Sequence, residues 1–140
     1  DLYCGRGAST KLIASLHPDK KVTGVDSSEN NIQIARKSAQ ELSLRNTTFH
    51  QSTVEKILGK LSLDNALCIV DPPRSGLDVS VTEKLIQQEC QSLVYVSCHP
   101  ATLARDLKLM CDAGFVINTV IPLDMFPQTA HLECLVHLSS

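Results

Sequence analysis

The sequence predicts an α/β fold, a mostly parallel sheet with helices on both faces and an antiparallel last strand. Three observations point there. Strand-like apolar runs alternate with helix-like amphipathic stretches from one end of the chain to the other. Two of those runs stop abruptly in Asp71-Pro72-Pro73 and Cys98-His99-Pro100, as buried parallel strands do where they enter functional loops. The last two β-prone stretches are joined without a helix, which suits an antiparallel pair. At 140 residues, 43% hydrophobic and 20% charged, the chain has the size of one domain and is too apolar for a disordered tail.

The elements follow in order. After a glycine turn, Ser9 to Leu16 reads as a helix stopped by His17-Pro18, and Lys21 to Asp26 as a strand. Ser28 then caps a helix through about Leu42, whose apolar face is Ile32, Ile34, Ala35, Ala39 and Leu42. Thr47 to His50 is a short strand, and Ala66 to Val70 is an unbroken apolar strand entering Asp71-Pro72-Pro73-Arg74-Ser75-Gly76. Ser80 to about Cys90 reads as a helix, Leu93 to Ser97 as a strand and Thr102 to Cys111 as another helix. Phe115 to Ile121 and His131 to Leu138 are strands joined by Pro122 to Pro127. Asp1-Leu2-Tyr3 reads as the end of a further buried strand, so the expectation is one catalytic domain over 1–140, N-terminally truncated, with most of its first strand and any upstream domains missing. Seven strands closing in this way fit a Rossmann-like class I methyltransferase sheet.

Thirteen Lys and Arg against 15 Asp and Glu give a net charge of −2, which carries no electrostatic sign of a polyanionic partner. No apolar run approaches the ~18 residues of a membrane span, so no membrane partner is expected. Cysteines 4, 68, 90, 98, 111 and 134 include no CxxC pair, and no His stands at zinc-ligand spacing. The expectation is no metal, reduced thiols and a cytoplasmic location.

Gly5-Arg6-Gly7 opens a helix after a strand end, and Asp26 closes the next strand about 20 residues on, the spacing at which a carboxylate meets ribose hydroxyls. Thr10 stands where a dinucleotide site wants a third glycine, which disfavours a pyrophosphate ligand and suits S-adenosylmethionine. Asp71-Pro72-Pro73-Arg74 lies at a strand's carboxyl end, where prolines leave carbonyls unpaired and rigidly aimed, able to grip a planar base; a simple strand-terminating turn is the bland alternative. Cys98 ends the neighbouring strand at the same sheet edge, whereas Cys68, Cys90 and Cys111 fall on strand or helix faces. His99 beside it is either a group that lowers its pKa or an accidental neighbour. Glu133 sits in an otherwise apolar strand; with Leu135 it faces away from Leu132, Cys134 and Val136, either into a cleft with a raised pKa fit for taking a proton or out to solvent.

Four blocks in order resemble the RNA uracil-5-methyltransferase family of ribosomal and transfer RNA: Asp1 to Gly7, Asp71 to Leu77, Tyr95 to Asp106 and Phe126 to Glu133. The resemblance covers essentially the whole chain, as that family's catalytic domain. It implies an S-adenosyl-L-methionine-dependent enzyme acting on RNA, more on ribosomal than on transfer RNA, with Cys98 the nucleophile and Glu133 the proton acceptor. Tyr3, Gly5, Gly7, Asp26 and Asp71 would hold the cofactor, and Asp71, Pro72 and Arg74 the substrate. His99 and Ala8 depart from the family's usual Asn at both places. The family's cofactor-holding glutamine, OB-like domain and iron–sulfur cysteines would all lie upstream, so weak RNA affinity is expected of this stretch alone.

Two other readings compete. An exocyclic-amine methyltransferase also uses an Asp-Pro-Pro turn but needs neither Cys98 nor Glu133. A truncated, inactive binding module would keep the fold alone. A cytosine-5 enzyme ranks lower, since it places a cysteine in the Asp-containing turn where this chain has Arg74.

Overall fold

A computed structural model describes residues 1–88, 90–125, 127–129 and 132–140. Phe126, Ala130 and His131 of the last motif block lie outside the described residues, and so does the expected start of the final strand at His131. The chain forms two compact units, 1–57 and 58–140.

In the first unit, α1 (Ala8–Leu16) precedes β1 (Val22–Asp26), α2 (Glu29–Glu41), β2 (Thr47–Gln51) and the single turn α3 (Val54–Ile57). β1 and β2 pair in parallel, Val22 opposite Thr47 through Asp26 opposite Gln51, and Leu2 adds one parallel bridge to Val25. Ser28 caps α2 as expected, its hydroxyl accepting from the Asn31 amide at 3.3 Å. Ile32, Ala35 and Ala39, one helical face, pack with Cys4 and Phe49 into a core. Leu42 does not join that face. It lies at the helix C-cap and is 62% exposed, because the helix ends at Glu41 and the face ends with it.

Phe49 decides two glycines. A Cβ on Gly24 of β1 would come within 2.8 Å of the ring and 2.9 Å of the Thr10 hydroxyl, and one on Gly7 would come within 2.7 Å of the same ring. Gly7 is also left-handed, φ 72°, as the N-cap from which α1 starts.

In the second unit, a 3₁₀ turn (Leu58–Lys60) leads to β3 (Leu67–Val70), α4 (Val79–Gln87), β4 (Ser92–Ser97), α5 (Pro100–Asp112), β5 (Val116–Leu123) and β6 (Glu133–Ser139). The strand order is β3-β4-β6-β5. β3 and β4 are parallel, and β6 runs antiparallel to both of its neighbours, the reversed last strand expected from the sequence. Buried side chains alternate along β4 (Leu93, Tyr95, Ser97) and β6 (Cys134, Val136, Leu138), and helix positions Val81, Leu85, Leu103 and Met110 are buried too.

Several boundaries differ from expectation by a residue or two, and three of them matter here. α4 starts one residue earlier, at Val79, because Asp78 caps it, its Oδ1 accepting from the Ser80 amide at 2.9 Å. It also ends at Gln87, so Cys90 is a buried residue beyond the helix and not part of its face. α5 begins at Pro100, where proline's missing N–H costs nothing. Seven strands were expected; six form among the described residues, with the Leu2 bridge at the place of the remaining one.

Gly24→Ala is expected to lower stability by about 1–3 kcal/mol through overpacking against Phe49. Adding Phe49→Leu should recover part of that loss, and thermal unfolding of the single and double variants checks it.

Candidate active site

Within 1–57 the candidate residues gather around Asp26. Its Oδ2 accepts from the Gly5 amide at 2.9 Å, and its Oδ1 accepts from the Ser28 amide at 2.9 Å and from Asn31 Nδ2 at 3.2 Å. The carboxylate that was expected to meet ribose hydroxyls therefore also builds the loop. A carboxylate offers about four acceptor positions, so the Oδ2 side keeps capacity for a hydroxyl donor. The turn itself is held by Cys4 N to Val25 O and Gly7 N to Cys4 O, both 2.8 Å.

Tyr3 and Gly5 both lie in the left-handed region, φ 65° and 53°. For tyrosine that is a sparsely populated conformation of the kind that concentrates at functional sites. A Cβ at Gly5 would meet nothing within 4 Å, so here the glycine answers the backbone's hand and leaves the loop's outer side open, whereas Gly7 answers packing. The Cys4 thiol is pushed up to about 11 by burial and, secondarily, by the Asp26 charge, which keeps it a protonated core group.

Within 58–140 three candidates share one edge of the four-stranded sheet. Val70, the last residue of β3, pairs with Tyr95, so Asp71 follows level with Val96. Ser97, the last residue of β4, pairs with Cys134 of β6, so the next residue out on each strand is Cys98 on one and Glu133 on the other. Cys98 and Glu133 are both half-buried, and Glu133 lies on the opposite face of β6 from buried Cys134 and Val136, as the alternation predicted. The Asp71 carboxyl is raised from its ordinary value, first by desolvation and then by the Glu133 charge.

The Asp-Pro-Pro turn differs from expectation in one respect. The Pro73 carbonyl is not unpaired: it accepts from the Gly76 amide at 2.8 Å, because the loop closes on itself at a left-handed glycine, φ 78°. Pro72 is buried, and Arg74 is exposed with its carbonyl 3.1 Å from the Thr102 hydroxyl. His99 has a defined job. It is the N-cap of α5, its Nδ1 accepting from the Thr102 amide at 3.4 Å and standing 3.2 Å from that residue's hydroxyl.

Four residues were in the quoted motif blocks but were given no role by the sequence: Tyr95, Thr102, Arg105 and Asp106. Asp106 is 1% exposed, yet its Oδ2 accepts from the Leu77 amide at 2.8 Å and from the Tyr95 hydroxyl at 2.7 Å, while its Oδ1 accepts from Arg105 Nε at 2.8 Å. The available signal was position: Leu103, Asp106 and Met110 form one buried helical face, and a carboxylate there must have partners. A hollow of about 560 Å³ in the first unit is lined by Arg36, Gln40, Arg45 and Phe49 and includes none of the candidate residues. Among the described residues, no group of three His, Cys, Asp or Glu could hold a metal, and no helix is long and apolar enough to cross a membrane.

The raised carboxyl of Asp71 has a consequence for stability. Its folded-state pKa lies above the unfolded one, so its contribution is full below the unfolded carboxylate pKa and is lost as pH rises through the folded value. Asp71→Asn should therefore unfold at higher temperature than wild type near pH 8, by the equivalent of less than about 1 kcal/mol because Asp71 is exposed. The gain should vanish near pH 3. A gain equal at both pH values in thermal unfolding would refute this account.

A family model described as tRNA (Uracil-5-)-methyltransferase matches residues 1–140. An uncharacterized RNA methyltransferase of Oceanobacillus iheyensis is 39% identical over 142 residues, taking in 99% of this chain and 30% of that protein. One from Protochlamydia amoebophila is 40% identical over 142 residues, with 99% and 32% covered. The crystal structure of Pyrococcus abyssi tRNA (uracil-54, C5)-methyltransferase with S-adenosyl-L-homocysteine matches with a TM-score of 0.84 and 32% identity, over 99% of this chain and 33% of that one. The precorrin-6y C5,15-methyltransferase of Geobacter metallireducens, at TM-score 0.77 and 10% identity over 99% of this chain and 76% of that one, shares the fold alone. The chain thus spans about a third of the length of its RNA-modifying relatives. Because the family match runs from the first residue to the last, through both the glycine loop and the cysteine-bearing strand end, the chain belongs to the tRNA (uracil-5-)-methyltransferase family.

Proposed function

We propose that this chain is the catalytic domain of a cytoplasmic enzyme that methylates carbon-5 of a uridine in RNA. The observation that carries the reading is the β4–β6 register, which sets Cys98 and Glu133 as successive outward neighbours of a paired Ser97 and Cys134. S-adenosylmethionine would supply an electrophilic methyl group. Asp26 and the Gly5 and Gly7 loop fit such a donor, since the loop is open at Gly5 and the carboxylate keeps an acceptor position for a ribose hydroxyl. Tyr3 and Asp71 belong to the same role.

Carbon-5 of uracil is a poor nucleophile, so the Cys98 thiolate adds to carbon-6 and pushes the electron pair through to carbon-5, which takes the methyl group as that group's bond to the donor's sulfonium sulfur breaks and the bonding pair stays on the sulfur. Glu133 then accepts the carbon-5 proton, the electron pair returns to the ring, and the bond from Cys98 to carbon-6 breaks, restoring the thiolate. Asp71, Pro72 and Arg74 at the adjoining strand end orient the base. The uridine has to leave its stack to reach Cys98. The ribosomal target expected from the sequence is the finer part of the proposal, and the Pyrococcus abyssi relative, which is a transfer RNA enzyme, supplies the other candidate.

With S-adenosylmethionine and RNA carrying 5-fluorouridine, the intact protein should form a stable adduct at Cys98, because fluorine cannot leave as a proton. Cys98→Ala should abolish the adduct and the activity. Glu133→Gln should lower turnover by about 100-fold or more while the adduct with ordinary RNA accumulates. Mass spectrometry reads both. Methyl transfer without any adduct at Cys98 would instead favour exocyclic-amine methylation at the Asp71-Pro72-Pro73 turn. Mapping 5-methyluridine in ribosomal and transfer RNA after gene deletion identifies the target.

A further inference from the structure

The first turns of α5 hold the substrate-side loop at four main-chain atoms. The Thr102 hydroxyl stands 3.1 Å from the Arg74 carbonyl, Arg105 Nη2 donates to the carbonyls of Ser75 at 3.0 Å and Leu77 at 3.1 Å, and Asp106 Oδ2 accepts from the Leu77 amide at 2.8 Å. The same oxygen accepts from the hydroxyl of Tyr95, a fully buried residue of β4 three positions before Cys98. The helix starts from its cap at His99, the residue after Cys98. One short stretch of helix therefore grips the loop that follows Asp71 and the strand that delivers Cys98. The fit leaves no slack: a Cβ on Gly76 would come within 2.5 Å of Asp106 Oδ2 and 2.7 Å of Arg105 Nη2.

We propose that Asp106, with Arg105 and Tyr95, is a positioning group that sets the register of the Asp71 loop against the Cys98 strand end, and so the distance between the group that orients the base and the nucleophile. An exposed surface would suffice for an ordinary helix carboxylate. Burying one is costly unless it is paired, and among the described residues the partners of Asp106 are a loop amide, a strand hydroxyl and a guanidinium that is itself bound to the loop. A charge-assisted set of this kind is short and directional, which is what fixing a loop to a fraction of an ångström requires. Thr102 and Arg105 extend the grip, and Tyr95 refers it to the sheet.

This inference rests on the uridine reading for its consequence, and its geometry can be tested apart from it. In the intact protein, Asp106→Asn and Tyr95→Phe are compared with Met110→Ala, which removes a fully buried side chain from the same helix without touching the loop. Hydrogen exchange should quicken at Leu77 and its neighbours in Asp106→Asn, and not in Met110→Ala at matched stability. Single-turnover methylation of RNA should fall about tenfold to a hundredfold in Asp106→Asn, and less in Tyr95→Phe. Loss of rate in proportion to unfolded protein, as in Met110→Ala, would overturn the proposal, as would unchanged Leu77 exchange in Asp106→Asn. If exchange responds as expected while wild type makes no 5-methyluridine, the clasp stands and the uridine reading fails.

Discussion

The reversed direction of β6 is the constraint on which the edge holding the candidate residues depends. In a wholly parallel sheet only strand ends meet at the carboxyl edge. A strand running the other way brings its beginning there, so Glu133, the first residue of β6, comes level with the residue that follows β4. The register has little freedom, because β6 is paired on both sides, at six positions with β4 and at seven with β5. A slip of one residue would turn Cys134, Val136 and Leu138 out of the core and carry Glu133 to the wrong face. The burial of those three side chains thus aims a carboxylate they never touch.

Charge at this edge is arranged at the expense of folding. Burial and then the Glu133 charge disfavour ionisation of Asp71, whose carboxyl is raised. A stability-optimised protein would neutralise one of the two carboxyls. Asp106 is handled in the opposite way: fully enclosed and fully satisfied, it converts the cost of burial into a definite loop position. The cysteines divide similarly. Cys4, Cys68, Cys90 and Cys134 are buried, Cys111 is on an exposed helix face, and Cys98 alone of the six combines half-burial with a strand end.

Much of this was legible in the sequence because it depends on local chemistry. The Ser28 cap, the alternation along β6 and the punctuation after β3 and β4 are short-range features that residue order determines. Other features needed the third dimension. Leu42 looks like a face residue by spacing, but whether the helix continues far enough to use it is a matter of where the chain turns. The Pro73 carbonyl looks unpaired by composition until Gly76 folds back on it. Asp106 was visible as a charge at a core position, yet its partners Leu77 and Tyr95 come from elements separated from it in sequence by 29 and 11 residues. His99 read as a group that lowers the Cys98 pKa or as an accidental neighbour, and its role as the cap of α5 needed the placement of Thr102.

β5 is exposed along its whole length and, among the described residues, has a strand neighbour only on the β6 side, with Val116, Val120 and Ile121 among its apolar residues. An outer strand of that kind is a template on which another chain could polymerise. Two interruptions break the template. The ladder shifts between Ile117 and Thr119, which bends the strand, and Pro122 has no amide hydrogen to donate. Straightening the shift or replacing the proline would lengthen the flat, adhesive stretch, so these two irregularities blunt the edge against pairing with another chain.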